Sequence, residues 1–412
     1  MRNYRYKNLA PLYLIIFFGF IGYSLMITIF TPMLMHAQNG FMAHESPMSQ
    51  RVILLGFLLA LYPLGQFLGA PILGTLSDSY GRKKVLIISL CCTTFFYLII
   101  ALALSLHCLF LLLLGSFFAG LSEANIVVAQ SAITDVANHQ DRNRLFGYIY
   151  LSASMAYIIG PLVGGKLADP ALVFWFNDAT PFWTVWLILL FSILWVACSF
   201  QETKKFFAKE KINYFTALIS LRDVLIAQPI RRLYILNFLF YLAIFGFFRC
   251  YPMYLVDEFH MQVNQSSEFI AWVAVPIVIA NMGLTSFFTE RFSIKTVTVA
   301  SAFLTGLLMI IVIIPPYVSA LWVTLFLTSL ALALCLPACA TLLSFAVSKD
   351  HGKVMGNNQS LQVLAESLSG IIGGLLAVIA VKLSLIVLGL IAIIAALWLL
   401  ATKEIKVANR SS

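Results

Sequence analysis

Three ionisable side chains stand inside long apolar stretches of this chain: Glu123, Arg249 and Glu366. A charge among apolar neighbours is costly, so each must face a partner or a cavity, and such groups usually mark a route for ions or substrate. Ser116, Gly120, Gln130 and Thr134 share a helical face with Glu123, while Asn358, Gln362 and Ser369 form a second polar stripe with Glu366. At 1.5 Å of rise per residue, Glu366 lies roughly 14 Å into its helix. A carboxyl so placed can load and release a proton, and Glu366 is the first expectation for that task, with Glu123 second. The plainer alternative for either acid is helix-to-helix pairing or an ion pair with Arg249. Arg249 follows Tyr241 and Phe245 at four-residue steps; it can bind an anionic group, neutralise a Glu, or snorkel toward the membrane surface.

The elements that hold these residues must cross a membrane. Of 412 residues, 61% are apolar and only 10% charged, too few to cover the surface of a water-soluble globule. Leu9 to Met35 and Val52 to Leu76 carry no charge, and each exceeds the roughly 20 residues needed to span a bilayer. A barrel would alternate apolar and polar residues instead. Charge and turn residues divide the chain into twelve helical spans near 9–35, 52–76, 85–106, 108–134, 145–167, 182–200, 233–254, 269–288, 295–314, 318–347, 357–380 and 383–401. The first span is too long for a signal-peptide core and is expected to be retained.

Basic residues set the expected orientation. With the N-terminus inside, 22 of the 26 Lys and Arg fall in cytoplasmic segments, which places both termini in the cytoplasm. That distribution explains the net charge of +9 without nucleic acid as a partner. The longest polar stretch, 201–232, links an N-terminal bundle (1–200) to a C-terminal one (233–412). Within it Tyr214, Leu218, Leu221 and Leu225 recur at helical spacing, which fits an interfacial amphipathic helix or a plain connector equally well. A shift of 209 residues superposes Asp141 on Asp350, Arg144 on Lys353, Gly147 on Gly356, Gly164 on Gly373 and Gly165 on Gly374. A weaker echo, offset by 212, sets Asp78 to Lys83 against Glu290 to Lys295. Two related halves are a common design of transporters, so the expected fold is an all-α membrane protein with twelve transmembrane helices in two pseudo-symmetric six-helix bundles.

Between the second and third spans lies Gly74-Thr75-Leu76-Ser77-Asp78-Ser79-Tyr80-Gly81-Arg82-Lys83-Lys84. The acid ends the second span, the basic run meets the headgroups, and Gly81 permits a tight turn with φ > 0. This resembles the loop signature of the major facilitator superfamily. Gly160-Pro161-Leu162-Val163-Gly164-Gly165 resembles the fifth-helix signature of its drug:proton antiporter branch, and Ala60 to Gln66, Asp135 and Gln201-Glu202-Thr203 resemble its tetracycline-efflux-like members. Pro161 removes a backbone hydrogen bond and bends its helix, while Gly160, Gly164 and Gly165 allow close helix approach. The resemblance implies an inner gate in which Asp78 faces the start of the eleventh helix near Asn357 and Arg82 pairs with Asp135.

Two positions depart from the tetracycline pattern: Gly19 stands where that group has an acid, and Ser116 where it has an Arg. The coupling chemistry would then have moved to Glu123 and Glu366. The resemblance implies a proton-coupled antiporter in a bacterial-type inner membrane, exporting a small amphipathic molecule by alternating access, with protons and that molecule as its partners and no oligomer required. An importer of an anionic nutrient or metal chelate, anchored by Arg249, is the alternative. No cofactor, metal cluster or enzyme motif is expected: seven cysteines lie in or beside apolar runs without CxxC spacing, and six histidines are scattered at span ends and loops.

Overall fold

The structure, a computed structural model, describes residues 9–36, 40–43, 45–136, 142–203, 219, 222–224, 226, 230–346 and 351–402. Most of the linker 201–232, including Tyr214, Leu218, Leu221 and Leu225, lies outside them, as do Asp141, Asp350 and His139.

Hydrocarbon offers the backbone no hydrogen-bond partners, so apolar runs of this length fold as helices. Among the described residues twelve do so: α1 (Ala10–Met35), α2 (Met48–Tyr80), α3 (Arg82–Ser105), α4 (Leu109–Val136), α5 (Arg142–Leu167), α6 (Thr180–Ser199), α7 (Arg231–Phe259), α8 (Val263–Leu284), α9 (Ile294–Ile311), α10 (Val318–Phe345), α11 (His351–Ala377) and α12 (Val381–Ala401). Eleven contain an apolar window long enough to cross a membrane, and α5 contributes a shorter apolar stretch, Leu151–Leu167.

Three local features differ from the expected spans. The second span continues to Tyr80, so Gly74 to Ser79 lie on the last turns of α2, and Gly81 alone joins α2 to α3. Its φ of 96° is the backbone conformation that glycine adopts without a side-chain penalty. Secondly, α4 is interrupted: Leu109–Glu123 and Asn125–Val136 are separate segments joined at Ala124. Thirdly, α8 passes from Val263–Ile279 through a π-turn at Ala280–Leu284, where Gly283 has φ 155°, into Thr285–Arg291.

Among their described residues, Met1–Ser46, Leu61–Thr216 and Met261–Ala271 form one compact unit; Pro47–Ala60, Ala217–His260 and Trp272–Ser412 form a second. In the first, α1 packs on α4, α5 and α6, and α3 packs on α4 and α6. In the second, α7 packs on α10, α11 and α12, and α9 packs on α10 and α12. The second set of pairings is the first advanced by six helices.

Side chains carry the same duplication. In the first unit Gly164 faces Leu25 of α1 while Gly165 faces Ser267 of α8; in the second Gly373 faces Cys250 of α7 while Gly374 faces Val52 and Gly56 of α2. The weaker echo also has a physical content. Lys83, at the start of α3, donates to the Ala197 carbonyl near the end of α6 (2.8 Å), and Lys295, at the start of α9, donates to the Thr402 carbonyl just past α12 (2.6 Å). Each ammonium satisfies a carbonyl that a helix end leaves without an internal partner.

Candidate functional site

Glu123 closes the first segment of α4, immediately before the interruption, and is 2% exposed. Its Oε2 accepts hydrogen bonds from the hydroxyls of Tyr62 on α2 (2.5 Å) and Tyr97 on α3 (3.1 Å). No basic side chain among the described residues pairs with it. Tyr23 of α1 stacks on Tyr62 with ring centroids 4.9 Å apart, and Tyr157 of α5 meets Tyr23 edge-on at 6.4 Å. The carboxyl is thus held by neutral phenols, which can stabilise either its charged or its protonated form by rotating a proton.

Gly19 explains how the carboxyl fits. A Cβ at residue 19 would lie 2.7 Å from Glu123 Oε1. The space above the first-helix glycine is filled by the acid of α4. Glycines also let α2 approach α4 at this level, since side chains at Gly65, Gly69 or Gly120 would strike the backbone of the facing helix.

Glu366 has a different environment. On α11 in the second unit, its Oε1 lies 3.3 Å from Nη2 of Arg249 on α7, and the Arg249 side chain is 1% exposed. A buried carboxylate and guanidinium neutralise each other. About two turns away along the same helices, Asn358 donates to the Tyr241 hydroxyl (2.7 Å), and Asn237 donates to Asn358 Oδ1 (3.1 Å) and to the Cys339 carbonyl of α10 (3.2 Å). Thus Tyr241 and Asn358 belong to one polar chain that ties α7, α10 and α11 together. Gln362 is half-buried on α11 between these groups.

At the α2–α3 junction Arg82 is 6% exposed and spans two acids: Nη2 lies 2.9 Å from Asp78 Oδ1, and Nε 3.0 Å from Asp135 Oδ2 on α4. Nη1 donates to Ser77. Glu202 completes the cluster by accepting from the backbone N–H groups of Arg82 and Lys83, each at 3.0 Å. A carboxylate there caps the positive end of the α3 dipole. Thr203 also donates to Asp135 (3.3 Å).

On α5, Gly160 lies against Ile21 and Ser24 of α1, and Pro161 sits inside the helix. Beside Gly165, the Asn264 amide of α8 donates to Asp169 (3.1 Å).

Sequence reasoning did not single out Tyr62, Tyr97, Glu202 as a cap, or Asn125. Buried Tyr hydroxyls need a partner, so a tyrosine inside an apolar run was the available signal for the first two.

The sequence profile of the Major Facilitator Superfamily matches residues 12–284 and 233–412. Over 199 residues the chain is 35% identical to the class H tetracycline resistance protein of Pasteurella multocida, an alignment covering 48% of this chain and 46% of that protein. The chain therefore spans about half the length of that relative. It is 23% identical over 370 residues to multidrug resistance protein 2 of Bacillus subtilis, covering 88% of this chain and 86% of that one. A bacterial homologue of the human lysosomal transporter Spinster has the same fold, with a TM-score of 0.77 over 97% of both chains at 15% identity. With its twelve helices, its duplicated packing and a profile that covers nearly its whole length, the chain belongs to the major facilitator superfamily.

Proposed function

We propose that this protein is a proton-coupled secondary transporter that exports small amphipathic molecules by alternating access across a bacterial-type inner membrane. The halves 1–200 and 233–412 are its moving parts, and both termini face the cytoplasm. The observation that carries the coupling is the Glu123 carboxyl, buried in the first unit with phenol hydroxyls and, among the described residues, no cation as partners. The resistance proteins among its relatives support the outward direction.

The Arg249 ion pair gives Glu366 a different part. A carboxylate already neutralised by a guanidinium gains less from a proton than one held by phenols, so Glu123 becomes the first proton carrier and Glu366 the second. Arg82, with Asp78, Asp135 and Glu202, forms the cytoplasmic latch of the cycle; releasing it frees α2 and α3 to move. In the importer reading, Arg249 anchors an anion, which must first displace Glu366.

The test uses purified protein in liposomes under an imposed pH gradient, with tetracycline and ethidium as probes. Glu123→Gln, which imitates a permanently protonated group, should abolish gradient-driven accumulation while probe-for-probe exchange survives. Full accumulation by Glu123→Gln would remove Glu123 from the coupling. Acidification of the lumen together with probe uptake would favour import.

A further inference from the structure

Asn125 is the first residue after the interruption of α4; it is 1% exposed, and neither its Nδ2 nor its Oδ1 has a hydrogen-bond partner among the described residues. A buried amide with both ends unsatisfied is costly and rare. It is unlike its neighbours: Ser122 donates to the Phe118 carbonyl, and Thr93 to Ser122 and the Ser89 carbonyl.

The position of Asn125 follows from the antiparallel register of α3 and α4. Ile100 meets Gly115, Thr93 meets Ser122 (3.1 Å), and Arg82 meets Asp135 (3.0 Å). Three residues beyond Ser122, Asn125 falls at the level between Thr93 and Ser89. On α3 the residues Tyr97, Thr93 and Ser89 recur at four-residue steps and therefore share a face. Tyr97 touches Glu123 at one end of this stripe, and the Arg82, Asp78, Asp135 and Glu202 cluster lies at the other. From Glu123 to Asp135 is roughly 18 Å of helix.

We infer that the α3–α4 seam is the route by which the Glu123 proton reaches the cytoplasmic face, and that Asn125 holds the water that carries it past the interruption. This rests on Glu123 as the proton carrier. The Glu123 carboxyl gives its proton to a water hydrogen-bonded by Asn125 and the Thr93 and Ser122 hydroxyls, leaving a carboxylate; the excess proton passes along the Ser89 level to bulk water beside Asp135. Reloading runs in reverse. An amide suits the task because it offers a water both a donor and an acceptor, and it does not titrate. The broken helix leaves room for that water where an unbroken one would close the seam.

The test needs no transported molecule. Purified protein in detergent is subjected to a rapid upward pH jump, and released protons are followed with a pH-sensitive dye. The signal present in the wild type and absent in Glu123→Gln belongs to Glu123. Asn125→Leu keeps the shape of the side chain and removes the unsatisfied amide, so the fold should be as stable or more so. It should release the same number of protons severalfold more slowly, and Asn125→Ser, which still binds water, should restore most of the rate. If Asn125→Leu does not fold, Asn125→Val is measured in its place. Release at the wild-type rate from the apolar variant would overturn the route. No difference between wild type and Glu123→Gln would instead overturn Glu123 as the carrier. A change in thermal stability without a change in release rate would make Asn125 a packing residue only.

Discussion

Glu123 and Gly19 occupy one space between them, and that can be read as a free energy. Alanine at position 19 should gain about 1 kcal/mol of helix propensity over glycine, but its Cβ would stand 2.7 Å from Glu123 Oε1 and 3.1 Å from Ile126 Cδ1. Overpacking of this kind costs about 1–3 kcal/mol, so the clash outweighs the propensity. Gly19→Ala should therefore lower the midpoint of thermal unfolding in the otherwise native protein and raise it when Glu123→Ala is also present. A double-mutant cycle on purified protein measures this; equal shifts in both backgrounds would mean that the two residues do not compete. The charged members of the site were legible in the sequence because an acid or an Arg inside an apolar run is conspicuous. Their partners were not. Tyr62 and Tyr97 belong to different helices, and a hydroxyl among apolar residues has no spacing that points to a carboxyl 61 or 26 positions away. An ion pair between Arg249 and one of the two acids was among the readings, but spacing could not say which; the structure pairs it with Glu366, 117 residues away.

Helices α4 and α8 are each broken, and neither break has a strong mark in the sequence. Ala124 is an ordinary helix former, and Gly283 reads as one more glycine in an apolar span. What the spacing did show was that these stretches are helical; what it could not show was where the helical phase slips. The polar face drawn through Ser116, Glu123, Gln130 and Thr134 assumes one continuous helix, whereas α4 is interrupted at Ala124. Gly283 offers a direct test of whether its break is required. A Cβ there would meet nothing within 4 Å, so any penalty comes from the backbone at φ 155° and not from crowding. Holding a non-glycine residue in such a region costs about 1–3 kcal/mol. Gly283→Ala should lower the unfolding midpoint and slow transport of a probe through liposomes. A higher midpoint would show that α8 straightens readily, with alanine favouring the unbroken helix.

At the scale of the molecule, the internal repeat was the most informative pattern in the chain. An offset of 209 residues, read from a few glycines, pointed to two related halves, and the structure sets Gly164 and Gly373 against α1 and α7, and Gly165 and Gly374 against α8 and α2. The repeat is not chemically exact, however, and the difference makes a prediction. At Gly165 an added Cβ would meet the Ser267 side chain, whereas at Gly374 it would meet the backbone of α2: the Val52 carbonyl at 2.8 Å and Gly56 Cα at 3.0 Å. A serine can be truncated; a backbone can yield only if the helix moves. Both Gly165→Ala and Gly374→Ala should destabilise their own unit by about 1–3 kcal/mol. Ser267→Gly should recover most of the loss at Gly165, because it removes the atoms in the way. No comparable change on α2 should rescue Gly374→Ala, since Gly56 already lacks a side chain and the other contact is a peptide oxygen. Thermal unfolding of the three single variants and of Gly165→Ala with Ser267→Gly decides the matter. Equal, unrescued losses at both sites would mean that α8 is held against α5 by backbone contact as α2 is against α11, and that the two repeats pack alike despite their different residues.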